Sequence, residues 1–172
     1  MMSKYILFTF LFIGLLACNN TNRSKTSKKT FTDNEPTITL QKLLPLTKQA
    51  SKSFSEWKEY QNFKQFFNQY LKTTPSEALS NAKELNTLAE QLKDSIRINT
   101  LKIKAFKARL NVLQNETMRL QDMVTISNLK SDDVKNQLIK IMAAFNATNA
   151  KLNNIILQLQ VEEDIKIILD SL

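Results

Sequence analysis

Histidine is absent from this chain, and cysteine and glycine occur once each. Without histidine there is no Ser-His-Asp or Cys-His relay. With a lone Cys18 there is also no Cys/His zinc site and no intrachain disulfide. The single glycine, Gly14, stands in an apolar run near the N-terminus, so no Gly-rich phosphate loop is available beyond it. Hairpins that turn on glycine at positive φ are excluded with it. Carboxylates, lysines, tyrosines and serines are what remain for catalysis, and they are not grouped tellingly. Glu162-Glu163-Asp164 is the one acidic run, and helical neighbours point about 100° apart, so three in a row do not converge on an ion. Glu56 and Glu59 share a helix face but have Lys52 and Lys58 beside them, which reads as surface pairing. The expectation is a protein that is not an enzyme and takes no metal or cofactor.

Charge of one sign is in excess: 24 basic residues against 16 acidic ones, a formal +8. Four of the bases, Arg23, Lys25, Lys28 and Lys29, sit close together, and the others alternate with acids as solvated helix faces do. No compact basic stripe carries interleaved aromatics, so nucleic acid is not an expected partner.

A signal opens the chain. Lys4 precedes the apolar run Tyr5–Ala17, which at thirteen residues is short of the ~20 that span a bilayer. The run closes on Leu15-Leu16-Ala17-Cys18, two aliphatics, a small residue and a cysteine. This resembles the lipobox of a bacterial lipoprotein signal peptide. The resemblance implies cleavage before Cys18, acylation of that cysteine with palmitate-like chains, and a membrane anchor in the cell envelope. Asn19, following the cysteine, implies the outer membrane on its periplasmic face. Residues 1–17 are then a signal peptide, and residues 18–37, polar and basic, a flexible tether. Residues 38–172 are left to form the domain.

A domain of that length with no glycine reads as all-α. Helical periodicity begins near Ile38, Pro45 interrupts it, and a continuous helix is expected from about Leu46 to Lys72. Thr74-Pro75-Ser76-Glu77 places a capping threonine, a proline at the first helical position and a glutamate where a capping box wants one. The helix that starts there carries Ala82, Leu85, Ala89, Leu92, Ile96, Asn99, Ile103, Phe106, Leu110, Leu113, Thr117, Leu120 and Val124 in alternating steps of three and four. This is a coiled-coil-like heptad seam, and a helix from 75 to about 127 would be ~80 Å long. Asn99 is its one strongly polar member, either a register-setting residue in the seam or the site of a break. Ser131, followed by Asp132 and Asp133, caps a third helix whose stripe is Val134, Leu138, Ile141, Phe145, Leu152, Ile155 and Leu159. After Gln160 the phase slips to Val161, Ile165 and Ile168, as a stutter or a short terminal helix. The expected architecture is an elongated antiparallel bundle of three long helices, or four if the middle one breaks near Asn99.

Two sets of residues are candidates for function beyond Cys18. Seven aromatics fall between Phe54 and Tyr70, more than two neighbouring helices need. Phe54, Trp57, Tyr60, Phe66 and Tyr70 are therefore either core or an exposed strip for a partner, a hydrophobic ligand or a membrane surface. Asp94-Ser95-Ile96 and Asp170-Ser171-Leu172 resemble the Asp-Ser/Thr-aliphatic sites at which some diderm bacteria O-glycosylate envelope proteins. Taken whole, the chain resembles the small helical envelope lipoproteins that carry no assigned activity. That resemblance implies a non-enzymatic interaction or structural element, held to the membrane by its lipid, with an envelope protein or a second copy as partner.

Overall fold

The computed structural model describes residues 35–171. The lipobox, Cys18, most of the tether and Leu172 lie outside the described residues. Within them 76% of residues are helical and 3% are in strands, so the class is all-α. Among the described residues there are six α-helices: α1 (Lys48–Ser53), α2 (Lys58–Phe67), α3 (Pro75–Ser80), α4 (Ala82–Asp94), α5 (Lys104–Asp122) and α6 (Ser131–Asp170). Two short strands, β1 (Ile38–Thr39) and β2 (Lys72–Thr73), pair antiparallel, Ile38 opposite Thr73.

The three long helices expected from the sequence are divided. Near Phe54 the chain turns between α1 and α2 where continuity was expected. Here side chains take over the helix's carbonyls: the Ser55 hydroxyl donates to Lys52 O at 2.9 Å, and Gln61 Nε2 donates to Phe54 O at 3.1 Å. Such local bonds offer the backbone an alternative to the helical ladder. The expected 75–127 helix is bent at Asn81 and fully broken between Asp94 and Lys104. Ser95 turns its hydroxyl back to Leu92 O at 3.1 Å, and the β-branched Ile96 and Ile98 follow, poor helix formers both. Ile98 is extended, and Leu101 behind it is fully buried. Asn99 is thus exposed in a 3-10 turn, where its Oδ1 accepts from Lys102 Nζ at 2.9 Å. It does not set register in a seam; it marks the break.

Nine of the thirteen seam residues still find the core, on two helices instead of one, while Ile96, Asn99, Ile103 and Val124 are not buried. Ala82, Leu85, Ala89 and Leu92 are buried along α4, and Phe106, Leu110, Leu113, Thr117 and Leu120 along α5. α4 and α5 run antiparallel, since Asn86 reaches Gln121 (2.9 Å) and Thr117 (3.1 Å) while Lys93 reaches Gln114 (2.6 Å). α6 packs on the other side of α5, its Gln137 amide donating to Glu116 O at 2.8 Å. Its stripe is buried as expected through Ile155, but Leu159 is exposed. Ser131 is the first residue of this helix, whose N-terminus is held by Asp133 accepting from the Lys130 N–H at 3.1 Å.

Helix α2 closes the core with its aromatics. Phe145 of α6 sits among Phe63 (4.9 Å between ring centroids), Tyr60 (5.7 Å) and Phe67 (6.3 Å), and Trp57 meets Phe106 of α5 at 6.2 Å. The first turn of α3 carries the expected capping box: Thr74 Oγ1 accepts from Glu77 N, and Glu77 Oε2 accepts from Thr74 N at 2.9 Å. That bond and the Thr73 hydroxyl hold the Glu77 carboxyl below its ordinary range.

Residues 35–47 are not helical, although periodicity suggested a helix from Ile38. Prolines at 36 and 45 push the residues before them into extended backbone, and Thr37-Ile38-Thr39 favours a strand. This strap is tied down by its backbone. Leu40 N–H donates to Leu71 O at 2.9 Å. Three asparagines of α6 hold the stretch from Leu44 to Thr47: Asn146 Oδ1 accepts from Leu44 N (2.8 Å), Asn149 Nδ2 donates to Leu44 O (2.7 Å), and Asn153 bonds both Thr47 N (2.8 Å) and Pro45 O (3.1 Å). A primary amide has the same donor and acceptor as a peptide group, so the pairing replaces a sheet ladder.

Candidate functional site

Burial decides the aromatic strip first. Phe54, Trp57, Tyr60 and Tyr70 are buried, and Phe66 alone is half-exposed. The partner-surface reading of these five residues is therefore corrected: four are core. A bundle with α4, α5 and α6 all beside α2 has enough neighbours to cover them, which three long helices would not. Burial raises the phenol pKa of Tyr60 and of Tyr70 strongly, and Glu84 adds to the effect at Tyr70. Both hydroxyls are hydrogen-bonded, Tyr60 donating to Asn149 Oδ1 at 3.0 Å and Tyr70 to Ala78 O at 3.4 Å. They serve packing. Phe66 lines a shallow groove of about 280 Å³ with Gln69, Glu84 and Leu88.

Two of the sequence candidates, Trp57 and Ser95, are brought together. Trp57 Nε1 donates to Ser95 Oγ at 2.9 Å, which ties the α1–α2 turn to the end of α4. Beside them lies an open cleft of about 390 Å³ lined by Glu56, Trp57, Lys58, Glu59, Arg97 and Ile98, among others. Its charged groups face solvent, and no buried acid–base pair lines it. The Ser95 hydroxyl, engaged with both Trp57 and Leu92, is half-buried. Ser171 is exposed and donates to Ile168 O at 2.7 Å; Leu172, which completes its tripeptide, is outside the described residues. Among the described residues no group of three or more His, Cys, Asp or Glu side chains is placed to hold a metal. No described helix is long and apolar enough to cross a membrane.

The last third of α6 is a surface that sequence reasoning does not single out. From Leu157 to Ser171 no residue is buried, yet the helix continues without a break to Asp170. Leu157, Val161, Ile165 and Ile168 are exposed by 58%, 49%, 52% and 59%. At about 100° per residue they fall within one arc of roughly 80°, a continuous apolar face. Glu162 and Asp164 flank that face on either side. The phase slip after Gln160 and the acidic run are both visible in the sequence, but there they suggest only a stutter and a solvated helix start. Charge is also divided. The tip, residues 157–171, holds Glu162, Glu163, Asp164 and Asp170 against Lys166, net −3, while residues 35–156 hold eighteen bases against eleven acids, net +7.

This tip, with its apolar face and acidic margins, is the surface best suited to an encounter, and the cleft at Trp57 is second to it. No protein-family model, no curated protein and no solved structure matches this chain, so its sequence and this geometry alone carry the functional reading.

Proposed function

We propose that the chain is a lipid-anchored module of the bacterial cell envelope that acts without catalysis, offering a helical surface to a protein partner. Helices α4, α5 and α6 are taken as its antiparallel three-helix unit, with α2 as the fourth wall of the core. The lipobox-like Leu15-Leu16-Ala17-Cys18 supports the anchor, and Asn19 after it supports the outer membrane and its periplasmic face. The single observation that carries the interaction reading is the uncovered apolar face at the end of α6. Apolar faces of this kind on a helix usually mark a site where something else packs. The alternative reading, a hydrophobic ligand or a membrane surface engaged by the 54–70 aromatics, loses its surface to the core.

Two experiments bear on this. Cys18→Ser should leave an unprocessed, unacylated precursor, because the acyl chains go onto that sulfur and the amino group freed by cleavage; mature, lipid-labelled protein in that variant refutes the anchor. A photo-crosslinking residue at Val161, in the native envelope, should give a discrete protein adduct that the same probe at exposed Lys83 does not. No adduct from Val161 refutes the interaction reading.

A further inference from the structure

We propose that the α6 tip docks on the outer face of α5 in a second copy of this chain. The proposal rests on the reading of the tip as an interaction surface, and it names the partner. The tip cannot reach its own α5 in this way, since α6 runs straight on from the turn that ends α5, with no break through its 40 residues.

Charge excludes the simplest pairing and favours another. Two tips laid together would bring net −3 against net −3, with Glu162 and Asp164 on the margins of both. Like charges at such margins cost affinity and misdirect approach. The outer face of α5 has the opposite character. Its buried row, Phe106, Leu110, Leu113 and Thr117, leaves Ala108, Val112 and Met118 facing outward, with Val112 50% and Met118 45% exposed. No acid interrupts residues 104–115, which carry Lys104, Lys107 and Arg109. Arg109 is turned back to the Ala105 carbonyl at 2.9 Å, so exposed Lys104 and Lys107 are the cations open to a visitor. The lengths also agree: the tip is ~21 Å long and α5 ~28 Å at 1.5 Å per residue. An apolar strip with acidic margins thus meets a basic helix face, on which Ala108, Val112 and Met118 stand among Lys104, Asn111, Asn115 and Arg119.

The two surfaces differ, so the contact is heterologous: each copy offers a tip to one neighbour and α5 to another, or two copies close reciprocally. A footprint of roughly 21 by 10 Å is below that of stable complexes, so the association is weak and suited to copies concentrated on one membrane.

The test uses the full chain in detergent, by sedimentation across a wide concentration range. Self-association should appear and weaken as salt is added. Lys104→Glu with Lys107→Glu should weaken it about tenfold or more, and so should Glu162→Lys with Asp164→Lys. All four positions are exposed, and circular dichroism checks that each variant keeps its helix content. Mixing the two double variants should restore association, because the reversed tip of one then faces the reversed α5 of the other. No self-association, or association indifferent to the Lys104/Lys107 reversal, overturns the proposal. Association that survives that reversal but is lost in Ile165→Lys would mean that tips pair with each other, and overturns it too. A Val161 adduct with a different protein, without self-association, removes the second copy as partner and leaves the interaction reading standing.

Discussion

Replacing Asn149 by alanine tests the core and the strap at once, because this buried side chain serves both. Its Oδ1 accepts from the Tyr60 hydroxyl at 3.0 Å and its Nδ2 donates to Leu44 O at 2.7 Å. Tyr60 is fully buried, so its hydroxyl would be left without an acceptor, a loss of about 1–3 kcal/mol. The Leu44 carbonyl lies on an exposed segment where water can replace the amide, so that bond adds about 0.5–1 kcal/mol. The expected loss is therefore about 1.5–4 kcal/mol. Tyr60→Phe in the same chain removes the orphaned hydroxyl, so the double variant should be about 1–2 kcal/mol better than the sum of the singles. Urea titration followed by fluorescence suits the question: Trp57 is the only tryptophan and stacks on Tyr60 at 5.7 Å. Since Tyr60→Phe alters that neighbour, circular dichroism at the helix band should be read alongside. Additivity of the two substitutions within ~0.5 kcal/mol, or a loss below that for Asn149→Ala alone, would refute the reasoning.

Three further outcomes are expected. Leu110→Ala, at a fully buried position of α5, should lower stability by about 2–5 kcal/mol with an unchanged denaturant slope; a change under ~0.5 kcal/mol would remove Leu110 from the core. Asn99→Leu, in the exposed 3-10 turn, should shift stability by less than about 0.5 kcal/mol and leave the helix content alone, and a large gain in melting temperature would return Asn99 to a seam. Glu77→Gln should be less stable than the native chain at neutral pH. The Glu77 carboxyl titrates below its ordinary range in the folded state, so its contribution is present above the unfolded value near ~4.3 and lost as pH falls through the lowered one. Melting curves of the two proteins should converge in acid, and a gap that is constant with pH would contradict this.

Local signals in the sequence are legible and long-range ones are not. Thr74-Pro75-Ser76-Glu77 is complete within four residues, and the helix starts where it says. Within α4 and α5 the steps of three and four identify buried positions correctly, because periodicity reports which side of a helix is covered; Ile96, Asn99 and Ile103, in the break between them, are not buried. The steps cannot report that the chain doubles back after Asp94, since Ile96 and Ile103 keep the apolar spacing even where the backbone is not helical. The same reversal explains the burial of Trp57, which meets Phe106 of α5 and Ser95 at the end of α4, two residues that a straight rod would hold apart. Asn146, Asn149 and Asn153 look solvated in the sequence because they lie beside the apolar stripe. Their partners are backbone groups some hundred residues earlier, and a peptide group leaves no mark in the side-chain pattern. The α6 tip escapes notice for the opposite reason. Its apolar face looks like core, and only the absence of a covering element distinguishes it.

The strap has a mechanical consequence. Any tension that reaches the domain along the chain preceding Glu35 enters through residues 35–47 before it reaches a helix. It first meets the Glu35 carboxylate on the Ser76 N–H, at 3.1 Å, then the rungs of β1 on β2, then the asparagine amides of α6. These contacts lie in series, so they open singly, each at the modest force that one or two hydrogen bonds resist, and close again when the load falls. Because the early anchors are on residues 71–76 and the later ones on α6, successive steps load different parts of the domain. The cluster around Phe145 is reached through Asn149, which holds both the Leu44 carbonyl and the Tyr60 hydroxyl. Under such a load the strap should yield before the helices, and the ~40 Å that thirteen residues span when fully extended is the limit of its reach.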